Sequence, residues 1–169
     1  MNGARYFTKL DASSGYWQTK LDEESSKLLC FNSPFGRYKF NRLPFGVSCA
    51  SEMFQMDIAE IVEGTEGVAN AQDDIIVWGD NEEVHDQRLR EVLSRIKDSG
   101  LKLNREKCQF CVNQVTFLGH VLSGEGVYAD PRKISAIIDM PNPENKVELQ
   151  RFLGMCNYLG KFMPDFANV

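Results

Sequence analysis

The chain opens on an alternation. From Tyr6 to Asp11, Tyr6, Thr8 and Leu10 fall on one side of a pleat and Phe7, Lys9 and Asp11 on the other. That period of two predicts a strand, and the strand ends on an acid. A turn follows at Ser13-Ser14-Gly15. Residues 28–46 then hold two strand-like runs joined by Ser33-Pro34-Phe35-Gly36, whose residue types suit a hairpin turn. Arg37, Lys39 and Arg42 lie in the second run with no acid beside them, and Arg37 and Lys39 share one face of the strand.

The period then lengthens. Phe54, Ile58, Ile61 and Val62 repeat at helical spacing, with Ser48 or Ser51 as candidate caps, Glu52 in the first turn, and Gly64 and Gly67 past the end. Residues 67–80 read as two short strands around an acidic turn at Asp73-Asp74. A second helix is expected from Glu82 to Asp98, with His85, Leu89, Val92, Leu93 and Ile96 as its stripe and Gly100 as its C-cap. On that stripe His85 reads as a packed residue rather than a ligand.

Residues 101–123 are strand-rich. Leu101–Gln109 and Phe117–Ser123 are expected to build a small antiparallel sheet, while the helix through Gln87–Lys97 packs under the main sheet. Pro131 opens a further helix to about Asp139. After the break at residues 140–145, Val147, Leu149, Phe152, Leu153, Cys156 and Leu159 outline a last one. Helices beside an antiparallel sheet make an α+β fold, with the last helices as the start of a second subdomain.

Composition narrows the class. The 169 residues are 43% hydrophobic and 25% charged, which is globular. No apolar run approaches the roughly 18 residues of a membrane span, and Met1–Asp11 has no signal-peptide core. The net charge of −5 argues against a strong field for steering nucleic acid. Its distribution tempers that. Residues 1–45 carry seven basic and four acidic groups, residues 46–98 four and thirteen, and residues 99–169 eight and seven. A local basic groove is therefore compatible with an acidic chain. The five cysteines, odd in number, read as reduced intracellular thiols. Cys108 and Cys111 form a CxxC with His120 nine residues on, but a fourth ligand at suitable spacing is lacking, so they read as strand cysteines rather than a zinc site.

The candidate chemistry lies in three carboxylates. Asp73 and Asp74 run directly into Ile75, Ile76, Val77 and Trp78, and Asp11 ends an equally apolar strand. Paired charges beside such surface repel and resist desolvation, and a divalent cation removes both costs. If the first strand lies beside the acidic hairpin, Asp11, Asp73 and Asp74 converge within metal-bridging reach on one face. Hard oxygen ligands of this kind suit Mg²⁺. From these residues alone a solvated acidic turn is the stronger reading, and a metal-dependent phosphoryl-transfer enzyme such as a nuclease is a further alternative.

A wider pattern adds to this. KLDASSGYWQTKLDEESS, FNSPFGRYKFNRLPFGVSCASEMFQ, DDIIVWG, GLKLNREKCQF, FLGHVLSGEGVYADPRKI and ELQRFLGMCNYLGKFMPDF follow in fixed order. Together they resemble the reverse transcriptase of gypsy-type long-terminal-repeat retrotransposons. The resemblance implies a right-hand polymerase palm with partial fingers over residues 1–122 and the start of a thumb or connection over 123–169. It implies RNA-directed DNA synthesis as part of a retroelement polyprotein: nucleotidyl transfer to a primer 3′-hydroxyl with two Mg²⁺ ions held by Asp11, Asp73 and Asp74. Ala12, Ser13, Ser14 and Gly15 would lie along the triphosphate, and Tyr16 would crowd the sugar 2′ position. Phe45 and Gly46 would meet the incoming nucleotide. Gln72, Phe117, Leu118, Gly119 and His120 would touch primer or template, and Lys102 or Lys107 would meet phosphate or solvent. The implied partners are an RNA or DNA template with its primer, deoxynucleoside triphosphates, and the fingers, ribonuclease H and integrase of a polyprotein. The implied location is an intracellular, cytoplasmic particle, with no membrane.

The pattern departs from the family in one box. Where the family has Tyr-x-Asp-Asp, this chain has Ala71-Gln72-Asp73-Asp74. The chain also starts after the family's basic fingers residues. Both features are expected to weaken extension, and they support an alternative: a degenerate or co-opted copy that keeps the fold without polymerase activity.

Overall fold

The computed structural model describes residue 1 and residues 3–162, and they divide into two compact units that meet at Val115 and Thr116. The end of the last quoted motif, residues 163–166, lies outside the described residues.

The first unit is built on a four-stranded antiparallel sheet. Its strands are β1 (Tyr6–Asp11), β4 (Val68–Ala71), β5 (Asp74–Gly79) and β6 (Gln109–Val112), in the order β4-β5-β1-β6. A separate hairpin, β2 (Cys30–Ser33) and β3 (Gly36–Lys39), turns through Pro34-Phe35 as expected. The expected helices are α2 (Ala50–Val62) and α3 (Glu82–Ser99).

Register fixes what each face carries. β1 and β5 pair from Tyr6 opposite Gly79 to Asp11 opposite Asp74. Because side chains alternate, Leu10, Ala12, Ile75 and Val77 fall on one face, where they join Phe54, Ile58 and Val62 of α2 and Val92 and Ile96 of α3 in one buried cluster. Each large member contributes about 1.5–3 kcal/mol by leaving water. Lys9, Asp11 and Asp74 share the other face.

The helix ends are instructive. Asn81 caps α3 by accepting from the Val84 N–H at 2.9 Å, and Gly100 closes it at φ +76°. α2 differs from expectation, because neither Ser48 nor Ser51 caps it. Cys49 takes the cap position without a side-chain bond, and Ser51 turns its hydroxyl to Tyr16 instead.

Three local features differ from the sequence-based reading. A 3-10 turn at Gly15–Gln18 and a short helix, α1 (Glu23–Leu28), follow β1. Both are too short to show a period, although Asp22 caps α1 through the Ser25 N–H at 2.7 Å. The stretch Leu101–Gln109 does not pair with Phe117–Ser123. Leu103 makes only an isolated bridge to Ala12, and Gln109–Val112 joins the main sheet as β6. The small sheet consists of β7 (Gln114–Phe117), β8 (His120–Ser123) and β9 (Gly126–Ala129), the last unforeseen. α3 does pack on β5 and β1, as expected.

The second unit carries that sheet's β8–β9 hairpin, then α4 (Pro131–Ile138) and α5 (Lys146–Gly160). Asp130 and Asn145 cap the two helices. Neither helix has a buried residue, and Ile138 and Val147 are each 74% exposed.

Gly15 is buried against α2, and a Cβ there would overlap the Phe54 ring. Gly15→Ala should therefore cost about 1–3 kcal/mol in urea unfolding. Phe54→Leu in that background should recover part of the loss, a favourable coupling in the double-mutant cycle.

Candidate active site

The three predicted acids arrive from two elements. Asp11 ends β1, and the β4–β5 hairpin supplies Asp73 in its turn and Asp74 as the first residue of β5. Ala71 pairs with Asp74, so Gln72 and Asp73 form a two-residue loop, with Gln72 in the left-handed region at φ +52°. Backbone bonds pin both ends: the Ala12 N–H donates to the Asp73 carbonyl, and the Asn104 N–H to the Asp11 carbonyl, each at 2.8 Å.

Asp11 and Asp74 are direct cross-strand neighbours, whose side chains share a face. Each has its own counter-charge. Lys9 Nζ lies 2.7 Å from Asp74 Oδ2, and Lys107 Nζ lies 3.6 Å from Asp11 Oδ1. Burial and then the negative charges of Asp11 and Asp74 hold the Asp73 carboxyl above the ordinary carboxylate range, against the pull of Lys107. The acids thus gather at one end of the sheet, but the three carboxylates do not all lie within 4.8 Å of one another. The closer convergence expected of them is not reached in this arrangement, where lysines meet Asp11 and Asp74. Two cross-strand carboxylates beside a third whose charged form is disfavoured make a set of hard oxygen donors that fits a divalent cation.

The loop after Asp11 is laced from behind. Ala12 and Gly15 are buried, Ser13 is half-buried and Ser14 is exposed at φ +52°. The Gln18 amide accepts from the Lys102 N–H at 2.7 Å and donates to the Ser13 and Lys102 carbonyls at 2.5 and 3.0 Å. Tyr16 sits in the 3-10 turn, with its hydroxyl 2.7 Å from Ser51 Oγ. Its ring lies 5.3 Å from that of Phe45 and 5.9 Å from that of Phe54. Phe45 also meets Trp17 yet stays 66% exposed, and Gly46 follows at φ +88°. A cleft lined by Trp17, Lys20, Arg42 and Asp57 borders Ser13 and Ser14 but none of the three acids.

Phe117, Leu118, Gly119 and His120 belong to the second unit. Leu118 and Gly119 turn the chain with φ +51° and +71°, Phe117 is buried, and His120 bonds the Leu118 carbonyl at 2.7 Å.

Sequence reasoning passed over Gln55. From α2 its side chain accepts from the Gln72 N–H at 2.5 Å and donates to the Asn70 carbonyl at 3.3 Å, which braces the acidic turn. A polar residue one place after a core phenylalanine was its only signal. Lys9 was read as a strand lysine, and its ion pair follows only from the register.

Residues 1–122 match the reverse transcriptase (RNA-dependent DNA polymerase) family. The chain belongs to the reverse transcriptase family. The retrovirus-related Pol polyprotein from transposon opus of Drosophila melanogaster is 40% identical over 171 residues, covering 100% of this chain and 17% of the relative. The polyprotein from transposon gypsy of the same fly is 34% identical over 168 residues, covering 98% of this chain and 16% of the relative. The chain therefore spans less than a fifth of these relatives. Among solved structures, the foamy viral protease-reverse transcriptase in complex with double-stranded DNA has a TM-score of 0.88 at 24% identity, over 97% of this chain and 29% of that one. The expected family and the α+β polymerase fold are both borne out.

The raised Asp73 carboxyl has a consequence for this reverse transcriptase domain. A carboxyl whose folded pKa exceeds its unfolded value binds more protons folded than unfolded, so stability falls as pH rises through that window. Asp73 is exposed, so solvent screens much of this effect, and Asp73→Asn should raise Tm slightly at neutral pH. The difference should vanish below the ordinary carboxylate range, in thermal melts run across pH without metal.

Proposed function

We propose that this chain is the palm, with partial fingers, of a retroelement DNA polymerase, over residues 1–122, and that residues 123–169 begin a thumb or connection. On this reading it extends a primer 3′-hydroxyl along an RNA or DNA template within a longer polyprotein that includes fingers, ribonuclease H and integrase. The observation that carries it is the pairing of Asp11 with Asp74 at the end of the sheet, beside Asp73 in the turn.

Asp11, Asp73 and Asp74 would hold two Mg²⁺ ions, which supply charge to stabilise the attacking and leaving oxygens of phosphoryl transfer. The other roles fall to groups of the chain itself. Lys107 now faces Asp11. With that carboxylate neutralised, its ammonium would be available to a phosphate. The Ala12–Gly15 backbone would lie along the triphosphate, where small residues permit close approach. Tyr16, held by Ser51, Phe54 and Phe45, makes a rigid stop against a sugar 2′-hydroxyl. Phe45 offers an exposed ring, and stacking of a base on it would contribute about 1–3 kcal/mol. Gln72 would touch the primer end, and the tight turn at Leu118 and Gly119, with Phe117 and His120, would support it. A cytoplasmic particle is the setting that fits such a polyprotein.

The second reading, a copy that keeps the fold without polymerising, is favoured by one observation. Ala71 is half-buried beside the acidic turn, where the family's tyrosine would stand.

Primer extension with Mg²⁺ and deoxynucleotides separates the two. The chain should extend weakly, Ala71→Tyr should raise extension by about tenfold or more, and Asp11→Asn or Asp73→Asn in that background should abolish it. Loss of bound Mn²⁺ in the same Asn variants, read by electron paramagnetic resonance, checks the metal site apart from activity. No extension by the Ala71→Tyr variant with the family's fingers restored would favour the second reading.

A separate expectation concerns sugar choice. Tyr16→Ala should relax discrimination against ribonucleotides by about tenfold or more, measured as the ratio of kcat/KM values for the two nucleotide types.

A further inference from the structure

A second group of metal-ligating side chains lies away from the polymerase acids. His85, Asp86 and Cys111 each present a donor atom, and the three donors lie within 4.8 Å of one another. Among the described residues, no other three histidine, cysteine or carboxylate side chains come so close. We propose that His85, Asp86 and Cys111 bind a divalent metal ion of the Zn²⁺ class, at a site distinct from Asp11, Asp73 and Asp74.

The donor set selects the metal. Imidazole nitrogen, carboxylate oxygen and thiolate sulfur are a zinc or cobalt combination, and a thiolate is a poor ligand for Mg²⁺. His85 Nδ1 and Asp86 Oδ1 are 3.1 Å apart. Two ligands bonded at roughly 2.0–2.1 Å to one tetrahedral zinc stand about 3.3 Å apart, so this edge of the site is already near its liganded length. Arg90 approaches the other Asp86 oxygen, Oδ2, at 3.7 Å and leaves Oδ1 to the cluster. Water would complete the fourth position.

Thr8 orients two of the three ligands. His85 is fully buried, and its Nε2 lies 2.9 Å from Thr8 Oγ1. With Nε2–H donating to that hydroxyl, Nδ1 keeps its lone pair toward Asp86 and Cys111, the tautomer a metal requires. The Cys111 N–H donates to the same Thr8 Oγ1 at 3.0 Å.

Cys111 reaches the cluster through an irregularity. Phe7 pairs with Val112 and Lys9 with Gln109, so Phe110 and Cys111 together stand opposite Thr8 in a β-bulge. Bulges re-aim side chains. Cys111 takes φ +47°, a left-handed conformation that costs a non-glycine residue about 1–2 kcal/mol. A regular β6 would need neither feature. Burial first, and then the negative charges of Glu82 and Asp86, push the Cys111 thiol above its ordinary range, and a cation would oppose the charge part of that shift. On binding, the Cys111 S–H would give its proton to solvent and the thiolate would bond the metal, with no change of oxidation state. The ion would tie the first turn of α3 to the exposed edge of the sheet. The CxxC is not the ligand pair, because Cys108 turns inward and its sulfur accepts the Asp11 N–H at 3.4 Å.

Cobalt titration of the reduced full chain tests this. One equivalent of Co²⁺ should give a thiolate-to-cobalt charge-transfer band, and Zn²⁺ should displace it. Cys111→Ser, at an exposed position, should abolish the band and weaken Zn²⁺ binding by about tenfold or more, while Cys108→Ser should retain both. Zn²⁺ should raise the Tm of the wild type and of Asp73→Asn but not that of Cys111→Ser, which keeps this site separate from the polymerase acids. Absence of the band, its survival in Cys111→Ser, or equal loss in Cys108→Ser would overturn the proposal.

Discussion

The register between β1 and β5 is the constraint from which the rest of the first unit follows. It aligns Leu10 with Ile75 and Thr8 with Val77 on the helix side, and thereby Asp11 with Asp74 on the other. A slip of one residue would turn the acids toward the helices and Leu10 away from them, so the hydrophobic pattern that stabilises the sheet also brings the like charges together. The buried cluster beneath, with Phe54, Ile58 and Val92, supplies the free energy that holds them there.

Around that frame, position is refined by polar braces rather than by packing. Gln55 reaches from α2 to the acidic turn, and Gln18 reaches from the 3-10 turn to the Lys102 backbone. Both bind main-chain groups of segments outside regular pairing. Loops on a rigid sheet acquire a defined shape when their free N–H and C=O groups are taken up this way. The bulge at Cys111 belongs to the same category, since Thr8 replaces the backbone partner that β1 does not offer there.

Much of this was legible in the residues. The strand ending on Asp11, the hairpin at Ser33–Gly36, the α3 stripe and its Gly100 cap all rest on periodicity or turn chemistry, which are local properties. What was not legible depends on distant partners. Whether Gln109–Val112 would pair with β1 or with the later strands is a choice between two equally plausible edges, and it is decided by contacts a hundred residues away in the chain. Ser51 has the chemistry of a cap, yet Tyr16 claims its hydroxyl. His85 was read as packed, and it is, but its neighbour across the sheet could not be known before the bulge was seen.

The two lysines at the acidic end change what metal entry means there. Asp74 and Asp11 hold ammonium groups from Lys9 and Lys107. On the proposed two-metal reading, a divalent ion would therefore not fill a bare anionic pocket. It would enter an exchange, in which each carboxylate trades a tethered monovalent cation for a mobile divalent one. The affinity would then measure the difference between the two pairings, and the released lysines would supply positive charge to a polyanionic ligand. Metal and phosphate would be coupled through side chains that belong to neither.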